Sequence, residues 1–320
     1  IVAAQTRLSD IDGQAGRLWY VGYDINDLAG RTSYEEVVHL LHELRLPTQT
    51  ELDTLTDFMV EEREVSKFLQ DLMPTLAQQT SPMSMLRTSV SAASAYYPDG
   101  WDDSVEADRR KALRLIAKTP TLLAMYHRMR TGQEIVPPNT KLPHAANFLH
   151  MLLGLEPSQE DAEVIDTTFV LYADHTMNAS TFTARIVAST LADMFSAITA
   201  AIAALKGPLH GGANEESMKM LEEVGSPDRA EAYVRDRLER HQKVMGFGHA
   251  VYKTMDPRAV VLKRIPKETG ERHGDTSWYE ISEAIERTVA EQKDLFPNVD
   301  FYAASVYHTL GIPTDLMTPI

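Results

Sequence analysis

Three histidines stand in segments that read as loops between helices. They are His175 in ADHTMN (173–178), His210 in LKGPLHGGAN (205–214) and His249 in MGFGHAVYK (245–253). Gly211 and Gly212 follow the second, and Gly246 and Gly248 precede the third, so side-chain bulk is missing where another molecule would approach. Arg258 of Asp256-Pro257-Arg258 and Asp300 of Pro297-Asn298-Val299-Asp300 complete the set. A carboxylate base with neutral imidazole donors suits proton abstraction beside a carbonyl, the imidazoles meeting the oxygen on which negative charge develops. An arginine and a further histidine suit the carboxylates of a dicarboxylate substrate. Each residue alone also has a plainer reading. His210 would be incidental to a tight turn, His175 a helix C-cap, Asp300 an N-cap, and Arg258 a surface residue of a first turn.

The elements that must hold these residues read as helices. Ser33 with Glu36 and Thr48 with Glu51 form capping boxes ahead of apolar runs spaced for one helix face. Ser81-Pro82 opens a further helix, Val105 to Arg130 another that Pro120 kinks or splits, and Pro143 to Leu153 one closed by Gly154. Ser158 with Asp161 caps the next. Thr181 to Leu205 reads as one long, nearly all-apolar helix, a pattern that predicts burial on every side. After the glycine loop the chain becomes more charged, with helices expected at 215–224, 227–243, 257–265, 277–294 and 301–310. Only residues 1–30 suggest strand, as a short hairpin containing Arg17 to Ile25. The expected fold is all-α: a large helical domain (1–212), a smaller helical domain (213–308) and an N-terminal β-hairpin.

Composition narrows the chemistry. A net charge of −15 argues against nucleic-acid or anionic-membrane partners and requires a local concentration of His, Arg and Lys for any anionic ligand. With no cysteine, disulfides and thiolate chemistry are excluded, which fits a reducing cytoplasm. The apolar stretch Met194–Leu205 is too short to span a bilayer, and the start, at Ile1 rather than Met, shows no signal-peptide pattern. No HExxH or similar ligand spacing occurs, so no metal is expected, and the glycine pattern of a dinucleotide-binding turn is missing after any strand.

GPLHGGAN (207–214), GFGHAVYK (246–253), Asp256-Pro257-Arg258 and Pro297-Asn298-Val299-Asp300, with Asp174-His175 upstream, together resemble the citrate synthase family, in its order and over essentially the whole chain. The stretch IDGQAGRLWYVGYDI (11–25) resembles its short bacterial and archaeal form. The resemblance implies a mainly α homodimer that joins oxaloacetate to acetyl-CoA in the tricarboxylic acid cycle. It implies no permanently bound cofactor, coenzyme A entering as the thioester co-substrate. Asp300 matches the base that takes the methyl proton, His210 the histidine at the thioester oxygen, and His249 the histidine that polarises the ketone. His175 and Arg258 match oxaloacetate ligands, with Asn178 in the same loop as His175. The backbone of Gly246, Gly248 and Ala250 matches the coenzyme A loop, and Lys253 is placed to meet a phosphate. Ala250 stands where many relatives carry a basic residue. The resemblance also implies that the large domain continues through 309–320 and past Ile320, with a further substrate arginine. A 2-methylcitrate synthase using propionyl-CoA shares all these motifs, and a non-catalytic acyl-CoA-binding or scaffold relative is the alternative of a different class.

Overall fold

A computed structural model describes residues 4–207, 210–293 and 295–320, without the side chains of Pro98 and Trp101. Pro208 and Leu209 of the glycine loop thus lie outside the described residues. The chain is mainly helical and divides into two compact units. The first comprises residues 4–8, Thr32–Gly211 and Pro319–Ile320; the second comprises Ser9–Arg31 and Gly212–Thr318. These bounds differ from the expected 1–212 and 213–308 at two places. The hairpin goes with the second unit because the Lys253 amide donates to the Gly13 carbonyl at 2.8 Å. Residues 309–318 go there too, tied by the Thr314 hydroxyl to Glu222 at 2.9 Å.

The first unit is built on the helix Val105–Arg130, against which Gln49–Glu61, Lys67–Gln79, Pro82–Ala93 and His144–Leu153 pack. Pro120 does not split this helix. Its neighbours from Ala117 to Tyr126 are almost all buried, and that packing outweighs the ~3 kcal/mol a mid-helix proline costs. Both capping boxes form as expected, with Ser33 and Thr48 each accepting from the third amide and Glu36 and Glu51 reaching back. The expected single helix over 181–205 is instead two, Ala179–Ala188 and Met194–Leu205. Leu191 turns into the left-handed region at φ 62°, and Asp193 restarts the chain by accepting from the Ser196 amide. Nor is the pair buried all round. Within the chain only Phe195 and Ala197 are covered, and Ile186 and Leu191 stand 52% and 87% exposed.

The second unit is organised around Val299–Thr309, whose residues from Val299 to Tyr307, Asp300 excepted, are buried. The helices Ala213–Val224 and Ile265–His273 pack on it, and Pro227–Glu239 pairs with Ser277–Gln292. The helices expected at 227–243 and 257–265 end earlier, at Glu239 and Leu262, and Ile265–His273 forms a separate element. The sheet has three antiparallel strands, Ser9–Asp12, Arg17–Tyr20 and Tyr23–Asp24, in register Ser9 to Tyr20 and Tyr20 to Tyr23. Among the described residues no helix is long and apolar enough to cross a membrane.

Candidate active site

The first unit holds His175, Asn178 and His210. Met194–Leu205 delivers the glycine loop, which folds straight back on the helix end. The Gly211 amide donates to the Leu205 carbonyl at 3.0 Å and the His210 amide to Gly207 at 2.9 Å. A Cβ on Gly211 would lie 2.3 Å from the Leu205 oxygen, so this glycine is required by close packing, whereas one on Gly212 meets nothing within 4 Å. Of the pair, only Gly212 is the clearing the sequence suggested. His210 is then fixed by the start of Ala179–Ala188. The Ser180 amide donates to Nε2 at 3.1 Å, and Ser180 Oγ lies 3.0 Å from the same nitrogen. An amide only donates, so Nε2 is the acceptor and the neutral ring carries its proton on Nδ1. Asn178 caps this helix, its Oδ1 accepting from the Thr181 amide at 2.9 Å and from Ser180 Oγ at 2.7 Å. His175 is half-buried in the preceding turn, where Thr176 takes φ 59° and its amide donates to Asp174.

The second unit brings the neighbouring segments 246–253 and 256–258 together with 296–300, about 40 residues on. Phe247 bridges Pro297 as an isolated β-pair. The Gly248 amide donates to Phe296 O and the Asn298 amide to Gly246 O, both at 2.8 Å. The Asn298 carboxamide donates to the Gly248 carbonyl at 3.1 Å. Gly246 and Gly248 both have φ near +80°, which side-chain-bearing residues resist. Added bulk at Gly246 would sit 2.7 Å from Phe301 Cβ. The Gly246 carbonyl and both backbone groups of Gly248 therefore bond inside the unit. Ala250, Val251 and Lys253 form the exposed part of the loop, with Lys253 Nζ donating to the Ala250 carbonyl at 3.3 Å.

His249 follows directly. Its Nδ1 accepts from the Val251 amide at 3.0 Å and the Tyr252 amide at 3.2 Å, so the neutral ring carries its proton on Nε2. Burial lowers its pKa below the ordinary imidazole value; Arg258 and Lys253 add to the lowering, and Asp256 opposes them. Arg258 is 5% exposed and bound to Asp256 through Nε at 3.1 Å and through the terminal nitrogen at 2.8 Å. Burial raises the Asp256 carboxyl pKa, but the Arg258 charge and hydrogen bonds win and hold it below the usual carboxylate range. The Asp256 oxygen that accepts from the terminal nitrogen, Oδ2, also accepts from the Val299 amide at 3.4 Å, at the start of the helix that carries Asp300. Asp300 itself is half-buried in the first turn, its amide donating to Asn298 Oδ1 at 3.1 Å.

Sequence reasoning had not given Ser180 and Asp256 a site role. Ser180 carries no motif of its own and acts through its amide. Asp256 was visible as an Asx residue before a proline, an N-cap signal that hid its second duty to Arg258. Among the described residues no cluster of three or more His, Cys, Asp or Glu is arranged to hold a metal ion.

Comparison with known proteins adds an independent line. The family model described as "Citrate synthase, C-terminal domain" matches residues 1–320. The chain is 49% identical to the citrate synthase of Haloferax volcanii, over all of this chain and 86% of that protein. The chain belongs to the citrate synthase family. Another member, named citrate/2-methylcitrate synthase, from Bacillus subtilis, is 41% identical over all of this chain and 86% of its own. Among solved citrate synthases, that of Thermoplasma acidophilum, in ternary complex with carboxymethyl coenzyme A and oxaloacetate, aligns with TM-score 0.91 at 30% identity. The alignment covers 100% of this chain and 86% of that one.

Proposed function

We propose that the chain condenses acetyl-CoA with oxaloacetate and water to give citrate and coenzyme A. The observation that carries this reading is the pair of loop histidines, each accepting from backbone amides at one ring nitrogen, which puts the ring proton on the other. The Asp300 carboxylate takes a proton from the acetyl methyl group. The C–H electron pair becomes the carbon–carbon double bond and the carbonyl π pair moves onto the thioester oxygen, which His210 Nδ1–H meets. That carbon then attacks the oxaloacetate ketone as the thioester carbonyl reforms; the ketone π pair moves onto its oxygen, which His249 Nε2–H meets and on which the proton taken by Asp300 ends. Water afterwards cleaves the thioester and releases coenzyme A. Arg258 and His175 hold oxaloacetate carboxylates, with Asn178 beside His175 in the same loop; Arg258 is suited to this by the fixed, bidentate grip of Asp256. The exposed backbone at Ala250, behind Gly246 and Gly248, and the Lys253 ammonium receive coenzyme A.

Replacing Asp300 by Ala tests the base. A general base contributes about 10²–10⁴-fold, so kcat measured by thiol release should fall by about 10³ with the melting temperature unchanged. Turnover within tenfold of the parent would remove Asp300 from this role. Propionyl-CoA is the second acyl donor to assay, because the Bacillus subtilis relative is named for both products. One methylene is worth only ~1–3 kcal/mol of discrimination, so the kcat/KM ratio for the two thioesters decides.

The chain acts as a homodimer in this reading. The support is the apolar helix pair Ala179–Ala188 and Met194–Leu205, in which the chain alone buries only Phe195 and Ala197, with Phe182 and Ile186 exposed and Leu191 exposed in the turn between them. The sedimenting mass checks it, a single-chain mass at assay concentration being the outcome that rules it out.

A further inference from the structure

We propose that Asn298 is a positioning residue for the condensation, a single carboxamide that sets the base Asp300 and the ketone-polarising His249 in register. The proposal rests on the roles given above to those two residues. Four hydrogen bonds converge on Asn298, and each belongs to one side of the pairing. Its Oδ1 accepts from the Asp300 amide at 3.1 Å, capping the helix Val299–Thr309. Its Nδ2 donates to the Gly248 carbonyl at 3.1 Å. Its own amide donates to Gly246 O at 2.8 Å, and its carbonyl accepts from the Phe301 amide at 3.3 Å.

The orientation of the carboxamide is forced, because an amide proton faces one end and a carbonyl oxygen the other. The Gly248 carbonyl belongs to the same peptide plane as the His249 amide. Gly248 has φ +80° and no Cβ, so this peptide is the softest point next to the imidazole. It is pinned from both sides: its preceding amide by Phe296 O and its carbonyl by Asn298. The far side of His249 is fixed separately, by Val251 and Tyr252. Arg258 is held by Asp256 and does not depend on Asn298.

The choice of side chain is specific. Asp caps helices as well as Asn does, but it would set a second oxygen against the Gly248 carbonyl. Ser also caps, but is too short to reach across. A residue kept only for capping would tolerate either; a residue that joins two catalytic groups would tolerate neither.

The experiment uses the full chain with Asn298→Asp and Asn298→Ser. Three quantities are read: kcat, KM for oxaloacetate, and the ketone stretching frequency of bound oxaloacetate. A misplacement of about 1 Å costs on the order of 10²-fold, so Asn298→Asp should lower kcat about 30–100-fold. KM for oxaloacetate should stay within threefold, since Arg258 keeps its partner. The ketone frequency should move back toward that of free oxaloacetate, a change that a loss of capping alone would not produce. Asn298→Asp with kcat within threefold of the parent and an unshifted frequency overturns the proposal. If Asn298→Asp does not fold, Asn298→Ser is judged by the same two quantities. A parent chain that condenses no acyl-CoA fails at the earlier step and refutes the proposed function itself, whereas an active parent with an equally active variant refutes only the role of Asn298.

Discussion

The two units solve the same problem in opposite ways. In the first, His210 accepts at Nε2 from a helix N-terminal amide and keeps its proton on Nδ1. In the second, His249 accepts at Nδ1 from two amides of its own loop and keeps its proton on Nε2. A cationic imidazole has no lone pair to offer an amide, so both arrangements favour the neutral ring. What differs is the support. His210 relies on secondary structure: a helix end, a capped helix start and a glycine packed on Leu205. His249 relies on a loop whose shape is imposed by segments from elsewhere, through Phe247 on Pro297, Asn298 on Gly248 and Lys253 on Gly13. The first histidine therefore inherits rigidity, and the second has to be held by named contacts.

The strongest way to break that contrast is through glycines. Gly246 has φ +77°, and a Cβ there would sit 2.7 Å from Phe301 Cβ and 2.9 Å from both Phe301 Cα and Ser217 Oγ. Gly246→Ala combines a left-handed alanine with overpacking of a buried helix, together about 2–4 kcal/mol. The melting temperature should drop by roughly 5–10 °C, and kcat should fall with it as the loop lifts from the base-bearing helix. Gly212→Ala meets nothing within 4 Å and has φ −80°, so its melting temperature should stay at the parent value. Equal melting temperatures for the two variants would show that the 246–249 loop is not clamped as described.

That contrast also explains what was legible in the sequence. The capping boxes at Ser33 and Thr48 were readable because both partners lie within one turn. The break between Ala188 and Met194 is masked by the run of apolar residues on either side, although Asp193 with Ser196 three residues on is a start signal. Four of the five candidate side chains are visible as residue types in glycine- or proline-marked loops, and His175 in a loop that has neither. Their support is not. The bond from Lys253 to Gly13 joins residues 240 positions apart, and nothing in either local pattern implies it. Gly211 and Gly246 were read as clearances, yet each is filled by a neighbouring backbone or side chain. A glycine in a sequence states that bulk is unwelcome, and only the fold says whether a substrate or the protein itself occupies the space.

A pH profile sharpens the comparison at smaller cost to the protein. Burial sets the His249 pKa below 6.5, with Arg258 and Lys253 adding to the lowering and Asp256 opposing it. The working form is the neutral one, which predominates above the folded-state pKa. The acid limb attributable to His249 should therefore lie at lower pH than that of an ordinary imidazole. Protonation would remove the acceptor for both Val251 and Tyr252 amides, so the loss should accompany increased loop exchange. A limb at or above 6.5 that disappears in His249→Gln would contradict the buried, neutral ring.

The smallest effect belongs to Ser180, and its size is informative. Two Ser180 groups approach His210 Nε2, the amide at 3.1 Å and the hydroxyl at 3.0 Å. Ser180→Ala deletes the hydroxyl and keeps the amide, so Nε2 retains a donor and the ring proton stays on Nδ1. The hydroxyl's single proton goes to Asn178 Oδ1, a cap that the Thr181 amide continues to serve. One neutral hydrogen bond at a half-buried site contributes about 0.5–1.5 kcal/mol, so kcat should fall no more than about tenfold. The fall should also be independent of pH across the neutral range. A drop of 10²-fold or more would mean that the hydroxyl, not the helix amide, sets the His210 tautomer. The first unit would then rely on a side-chain contact just as the second does.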